Sequence, residues 1–423
     1  MKFRLGEDVG RFAVNQAEID QHLAGLAAIS ESPAPVVTRV LFSEADLAAR
    51  QYVRGLCEEC GLETRTDPAG NIFARWQGLD PDLPAIGTGS HIDAIPNAGR
   101  FDGVVGVLGA LGSIRALRRA GFKPRRSIDL IIFTAEEPTR FGLGCLGSRI
   151  LSGALAPELA ANLKDGDGRS FEDWRTGAQC HGELASARLP QGAYAAFIEL
   201  HIEQGPILER EGIALGVVEK IAAPCALRVR LEGEGGHAGA VLMPVRHDAL
   251  LAGAEIALAV ERAALDCGSP DAVGTTGVLR VFPGAINSVP ARAELEIDMR
   301  DTCLETREWA RGQVEQAIAD ICARRGVQQA IETINVDPPA TCDPGLVDLT
   351  LDAAKALGFS ARRLISRAYH DTLFMARVCP VTMLFIPCRG GWSHRPDEYA
   401  SPEAIHAGAS VLAQVLASLA QDV

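Results

Sequence analysis

Residues 85–137 read AIGTGSHIDAIPNAGRFDGVVGVLGALGSIRALRRAGFKPRRSIDLIIFTAEE. The stretch opens with a short apolar run ending in His91-Ile92-Asp93. It continues into a helical pattern from about residue 104 and closes with a second apolar run ending in Glu136-Glu137. Strand, helix, strand in that order predicts a βαβ unit, and with it parallel strands covered by helices. In such sheets functional side chains gather beyond the carboxyl ends of the strands. Both apolar runs end in groups able to bind metal or move protons.

Upstream, residues 44–61 (EADLAARQYVRGLCEECG) have helical periodicity and stop at a glycine, and residues 70–76 (GNIFARW) have a strand pattern. Downstream, AAFIELHIEQGP supplies a third strand end, at His201. From about residue 217 to 335 the order becomes strand (CALRVRLEGE), helix (around 247–263), strand (TTGVLRVFPG), strand (RAELEIDMRD), helix (around 304–325), strand (AIETINV). That βαββαβ order is ferredoxin-like. The α/β pattern then returns with VTMLFIPC and a C-terminal helix around 402–420. The predicted fold class is α/β: a mostly parallel-sheet domain over 1–216 and 336–423, with a ferredoxin-like domain inserted at 217–335. A chain of 423 residues suits two cores better than one.

Hydrophobic residues make up 47% and charged residues 22%, values of an ordinary folded protein. A net charge of -13 without a long basic run argues against nucleic acid and anionic membrane surfaces. The N-terminus has no apolar core of signal-peptide length, and no later segment reads as apolar enough to span a bilayer. The 11 cysteines are odd in number and scattered, which fits a reducing cytoplasm rather than a disulfide framework. Cys57 and Cys60 form the only close pair and supply at most half of a structural zinc site.

The candidate chemistry lies at the strand ends and loops: His91, Asp93, Asp102, Glu136, Glu137, His201 and His394. Imidazole and carboxylate together suit zinc, manganese or cobalt. A two-metal hydrolase needs a bridging carboxylate, terminal ligands that leave room for water, and a free carboxylate as general base. Adjacent glutamates can divide the last two tasks, and Asp93 can fix the tautomer of His91. Each residue also has a plainer role open to it. Asp102 could be a helix N-cap, the glutamates a solvated strand end, and His201 a satisfied core histidine. It is the grouping beyond the strands of one sheet that points to a site.

At these residues the chain resembles the M20 metallopeptidase superfamily, in its amidohydrolase branch of allantoate, N-carbamoyl-L-amino acid and ureidoglycolate amidohydrolases. The resemblance is carried by GTGSHIDAIPNAGRFDGVVGVLGAL, FTAEEPTRFGLGCLGSR, IELHIEQGPILE, GGHAGAVLMPVRHDAL, INSVPARAELEIDMRD and GWSHRPDEYASPE. It implies His91, Asp102, Glu137, His201 and His394 as ligands of two divalent ions per subunit, with Asp102 bridging. Manganese is preferred; zinc and cobalt are compatible. It implies Glu136 as general base and Asp93 as the group that orients His91. The inserted domain would be a lid and homodimerisation domain, with His237 reaching the partner's site to stabilise the oxyanion. Gln204, Asn287 and Arg300 would contact substrate, Arg300 as a carboxylate clamp. The plainer alternatives are a turn histidine at 237, a loop-end Asn287, and an Arg300 paired with Asp298 or Asp301.

The segment SRAYHD (366–371) bears on substrate. Arg367 and Tyr369 stand where much of the branch has glycines, and the run through VTMLFIPC resembles the plant ureidoglycolate amidohydrolases. Tyrosine narrows a pocket and adds a hydroxyl, which suits a small ureido substrate bearing a carboxylate. His370 would bind substrate beside Tyr369; alternatively Asp371 holds it as a buried histidine. The implied reaction cleaves the ureido C–N bond of ureidoglycolate to glyoxylate, ammonia and carbon dioxide. N-carbamoyl-amino-acid or allantoate hydrolysis is the alternative, and a catalytically silent binding protein on the same scaffold is the non-enzymatic one.

Overall fold

The computed structural model describes residues 3–6 and 9–421. The chain divides into two compact units. One takes the chain up to Glu219, then Thr341–Ser366, then everything from His370; the other takes Lys220–Ala340 with Arg367–Tyr369. The sequence pattern placed the inserted segment at 217–335. The difference has a structural cause. The strand Leu215–Ile221 pairs with Val381–Ile386 through Gly216, Val217 and Val218, so its first half belongs to the first unit's sheet. Arg367 joins the second unit through a 2.8 Å ion pair with Asp271.

The first unit holds a sheet of nine strands among the described residues. Its centre is parallel, in the order Val381–Ile386, Tyr194–Ile202, Ala85–His91, Ile128–Phe133. The flanks are antiparallel: Ile72–Trp76 on Ile128–Phe133, Glu63–Thr66 on Ile72–Trp76, and Leu215–Ile221 on Val381–Ile386. The sheet is therefore mixed rather than mostly parallel. The βαβ pattern governs only the central strands. All seven residues of Ala85–His91 and all six of Ile128–Phe133 are buried, as expected of strands covered on both faces.

The helix Val104–Arg119 packs on this centre, and its glycines set the distance. A Cβ on Gly106 would lie 2.3 Å from the main-chain oxygen of Leu200. Beside it packs the C-terminal helix Pro402–Gln421. By length and composition this helix could cross a membrane, contrary to the expectation from sequence, but 83% of its apolar window is buried inside the protein. It is a core helix whose apolar residues face protein.

One charge sits inside the central strand IDLIIF. Asp129 is 1% exposed, takes both arms of Arg75 at 2.7 Å and accepts the Tyr194 hydroxyl at 2.8 Å. Asp129→Ala is expected to destabilise the protein by about 2 kcal/mol, because it strands a buried phenol and an arginine that is only partly open to water. Urea denaturation measures this, and activity per folded molecule should stay near wild type.

The second unit has the βαββαβ order: Ala223–Glu232, Ala249–Asp266, Val273–Phe282, Arg292–Asp301, Leu304–Arg325, Gln328–Val336. Its antiparallel sheet runs Val273–Phe282, Arg292–Asp301, Ala223–Glu232, Gln328–Val336, the ferredoxin-like arrangement. In RAELEIDMRD alternate residues enter the core. Ala293, Leu295, Ile297 and Met299 pack with Leu227, Val229, Ile256 and Val314. The intervening charges form cross-strand pairs on the other face, Arg228 with Glu296 at 3.1 Å and Arg280 with Glu294 at 2.9 Å.

Candidate active site

Parallel pairing brings the strand ends to one edge. His91 lies opposite Phe133 and His201 opposite Phe385, so Glu136-Glu137 and the loop bearing His394 leave the sheet where the two histidines sit. Asp102 stands just before the helix Val104–Arg119 and projects into the middle of the group. Its Oδ1 is 3.2 Å from His201 Nε2 and 3.8 Å from His91 Nε2. Its Oδ2 is 3.3 Å from His394 Nε2, which is also 3.3 Å from Glu137 Oε1. The five predicted ligands therefore form two sets, His91–Asp102–His201 and Asp102–Glu137–His394, that share one carboxylate.

The histidines are oriented from behind. His91 Nδ1 donates to the main-chain oxygen of Asp93 at 3.0 Å, and His201 Nδ1 to that of Ile202 at 2.9 Å, which leaves each Nε2 facing Asp102. Burial lowers the His91 pKa. Burial acts the same way on His201 and is the largest single influence, but the hydrogen bond and charge of Asp102, with Glu199 and the Ile202 carbonyl, together outweigh it and raise the group to about 9. Hydrogen bonds to Asp102 and Glu137 hold His394 at about 10. Burial opposes ionisation of Asp102, yet the bonds from His201 and His394 hold it well below the usual carboxylate range. In each set the ligand atoms lie within 4.8 Å of one another. This donor set of imidazoles and carboxylates fits divalent metal ions.

Asp93 acts differently from the expectation. Its carboxylate lies 3.6 Å from His91 Nδ1, while it accepts the backbone N–H groups of Glu136 at 3.3 Å and Glu137 at 3.0 Å. It orients His91 through its main-chain oxygen and fixes the turn of both glutamates with its side chain. Burial pushes its carboxyl up to about 7. Glu136 is 8% exposed, with Oε2 3.8 Å from His91 Nε2. Burial, then Glu137, Asp371, Asp102 and Asp93, raise its pKa well above the ordinary range.

Of the predicted substrate residues, Gln204 is braced against the shared carboxylate. Its Nε2 donates to Asp102 Oδ2 at 2.7 Å and to Ser393 Oγ at 3.3 Å. His370 is buried, its ring 4.5 Å from that of His201, with Nε2 3.1 Å from Ser366 Oγ. Asp371, next in the chain, accepts from Ser148 Oγ at 2.5 Å. Within the second unit, Arg300 forks onto Asp298 at 2.8 and 3.0 Å, the pairing that the sequence left open, and lies 5.6 Å from the Tyr369 ring. His237 is exposed and pairs with Ser288 across a short ladder, and Ala238 N–H donates to the Asn287 carbonyl at 2.8 Å. That ladder brings His237 and Asn287 together.

Sequence reasoning missed Ser393 and Glu398. Glu398 accepts the backbone N–H groups of Phe101 and Asp102 at 2.8 and 3.0 Å and the Ser393 hydroxyl at 2.9 Å, and that hydroxyl also meets Asp102 Oδ2. The available signal was an acid four residues past His394 in GWSHRPDEYASPE. Glu199 was missed as well; it accepts from Ser90 Oγ at 2.7 Å and from Thr372 N at 3.2 Å beneath His370.

Comparison with known proteins agrees with this geometry. A ureidoglycolate hydrolase of Arabidopsis thaliana is 50% identical over 414 residues, 96% of this chain and 86% of its own. An N-carbamoyl-L-amino-acid amidohydrolase of Paenarthrobacter aurescens is 36% identical over 406 residues, 96% of this chain and 98% of its own. Among solved structures, the crystal structure of AtUAH in complex with (S)-hydroxyglycine matches with a TM-score of 0.89 at 49% identity, covering 97% of this chain and 99% of that one. The profile of peptidase family M20/M25/M40 matches residues 87–418, a span that contains all five clustered residues. With that span and those relatives, the chain belongs to peptidase family M20/M25/M40.

Proposed function

We propose that this hydrolytic enzyme cleaves the ureido C–N bond of ureidoglycolate. The observation that carries the proposal is 50% identity across 96% of the chain to a ureidoglycolate hydrolase. The Asp102-centred clusters supply chemistry to match. His91, Asp102 and His201 would hold one divalent ion and Asp102, Glu137 and His394 a second, with manganese preferred by family likeness. Bound ions would supply Lewis acidity toward the ureido carbonyl and make water easier to deprotonate.

The chain's own groups do the rest. Glu136 takes a proton from water, and the oxygen adds to the ureido carbonyl carbon. The adduct breaks its bond to the substrate nitrogen, which takes the proton that Glu136 holds. The carbamate fragment yields ammonia and carbon dioxide, and the hydroxyglycine fragment loses ammonia to leave glyoxylate. By family likeness Gln204 and His370 of the first unit, and Asn287, Arg300 and Tyr369 of the second, are each proposed to contact substrate, and for Arg300 this means exchanging Asp298 for the substrate carboxylate.

The test is ammonia release from metal-loaded protein with ureidoglycolate, allantoate and N-carbamoyl amino acids. Ureidoglycolate is expected to lead in kcat/KM by roughly a hundredfold or more, the discrimination a polar pocket achieves. Preference for an N-carbamoyl amino acid would replace this proposal with the carbamoylase one.

We further propose a homodimer in which His237 stabilises the oxyanion of the partner's site, and a cytoplasmic setting. Family likeness supports the first, and eleven free cysteines fit the second. Mixing His237→Ala with Glu136→Gln protein should recover one working site per verified mixed dimer; no recovery refutes action in trans.

A further inference from the structure

Cys145 opens the helix Leu146–Ser152 in the left-handed region, at φ 55, and is completely buried. Its backbone is stitched to the turn that carries the general base. Cys145 N–H donates to the Glu136 carbonyl at 2.8 Å, Leu146 N–H to Ala135 at 2.9 Å and Gly147 N–H to Thr134 at 2.8 Å. These bonds aim the thiol at the base: Cys145 Sγ lies 3.6 Å from Glu136 Oε1. The two Glu136 oxygens thus have different surroundings. Oε1 faces the thiol, and Oε2 faces His91 Nε2 at 3.8 Å.

We infer that Cys145 is a positioning residue that tethers Glu136 Oε1 through its S–H and leaves Oε2 directed at the reacting water. The inference rests on the proposed role of Glu136 as base. A thiol suits the task because it is a weak donor. It fixes the carboxylate's rotation and draws little of the basicity that a hydroxyl or amide would remove. Burial pushes the thiol well above its ordinary range, so it keeps its proton and donates.

The experiment compares Cys145→Ala and Cys145→Ser in the metal-loaded enzyme, with Glu136→Gln alongside. Both cysteine variants lose the sulfur's volume, and serine alone keeps a donor. Alanine is expected to lower kcat about tenfold, in proportion to one modest hydrogen bond acting on the base, with KM within about twofold. Serine should recover to within about threefold of wild type. Equal activity of the two variants, or a loss confined to KM, overturns the inference. If Glu136→Gln itself retains turnover, the general-base role fails instead, independently of Cys145. A measurement that leaves Cys145 in place covers the case of variants that do not fold. The S–H stretching band in the infrared difference between wild type and Glu136→Gln should shift on losing the carboxylate acceptor, and an unshifted band also overturns the inference.

Discussion

Glu136→Gln is expected to lower kcat by about a thousandfold, near 4 kcal/mol of barrier, while metal content and thermal midpoint stay near wild type. The substitution keeps the side chain's size, and the turn that carries it is set by Asp93 through the backbone N–H groups of Glu136 and Glu137. Glu136 belongs to neither ligand set, and Glu137 is the glutamate that meets His394. What is lost is an acceptor whose basicity burial and four neighbouring carboxylates have raised. An amide takes no proton from water and returns none to the leaving nitrogen, so both proton transfers slow. Single-turnover kinetics with metal analysis on the same sample checks this. Turnover within about tenfold of wild type would remove Glu136 from the proton path.

The second large effect comes from a residue with no side chain. Gly103 follows Asp102 at φ 64, and a Cβ built there would lie 2.3 Å from His91 Nε2. Gly103→Ala therefore opposes two constraints, a backbone conformation that L-residues rarely adopt and a ring that cannot yield. His91 is clamped at Nδ1 by Asp93, so the imidazole must give up either that bond or its approach to Asp102. The expected outcome is loss of metal from the His91–Asp102–His201 set and a fall in kcat/KM of about a thousandfold or more, as for a lost metal ligand acting with its partners. Metal stoichiometry by plasma mass spectrometry, with far-ultraviolet circular dichroism to show the fold intact, checks it. Full metal content in the variant would mean that the backbone relaxes at low cost.

The central strands and the residues at their ends were legible because each follows from local pattern, whereas Asp102 and His394, which lie in loops, were singled out with the family resemblance. Apolar runs of strand length end in His91, Glu136-Glu137 and His201, and alternation in RAELEIDMRD marks a strand with one buried face. The mixed character of the sheet was not legible. Antiparallel flanks such as Glu63–Thr66 and Ile72–Trp76 read the same as parallel ones until their partners are known. The supporting shell was equally hidden. Glu398 caps the backbone of Asp102 from nearly three hundred positions away, and Asp93 exchanges the expected side-chain contact for a main-chain one. Such contacts depend on where loops return in space, which no period of 2 or 3.6 encodes.

The arrangement of the two ligand sets along the chain has a consequence for folding. His91, Asp102, Glu137 and His201 all precede the inserted segment, and His394 follows it. An ion held by Asp102, Glu137 and His394 would therefore act as a clasp between the two separated stretches of the first unit, closing a loop of chain that contains the whole second unit. Free ion at a hundred times its Kd adds about 2.7 kcal/mol per site to the closed form. Chelation would thus do more than silence the chemistry: it would remove one tie between the stretches on either side of the insertion, which the pairing of Val381–Ile386 with Tyr194–Ile202 also joins, so ion supply is expected to tune how long the folded chain survives.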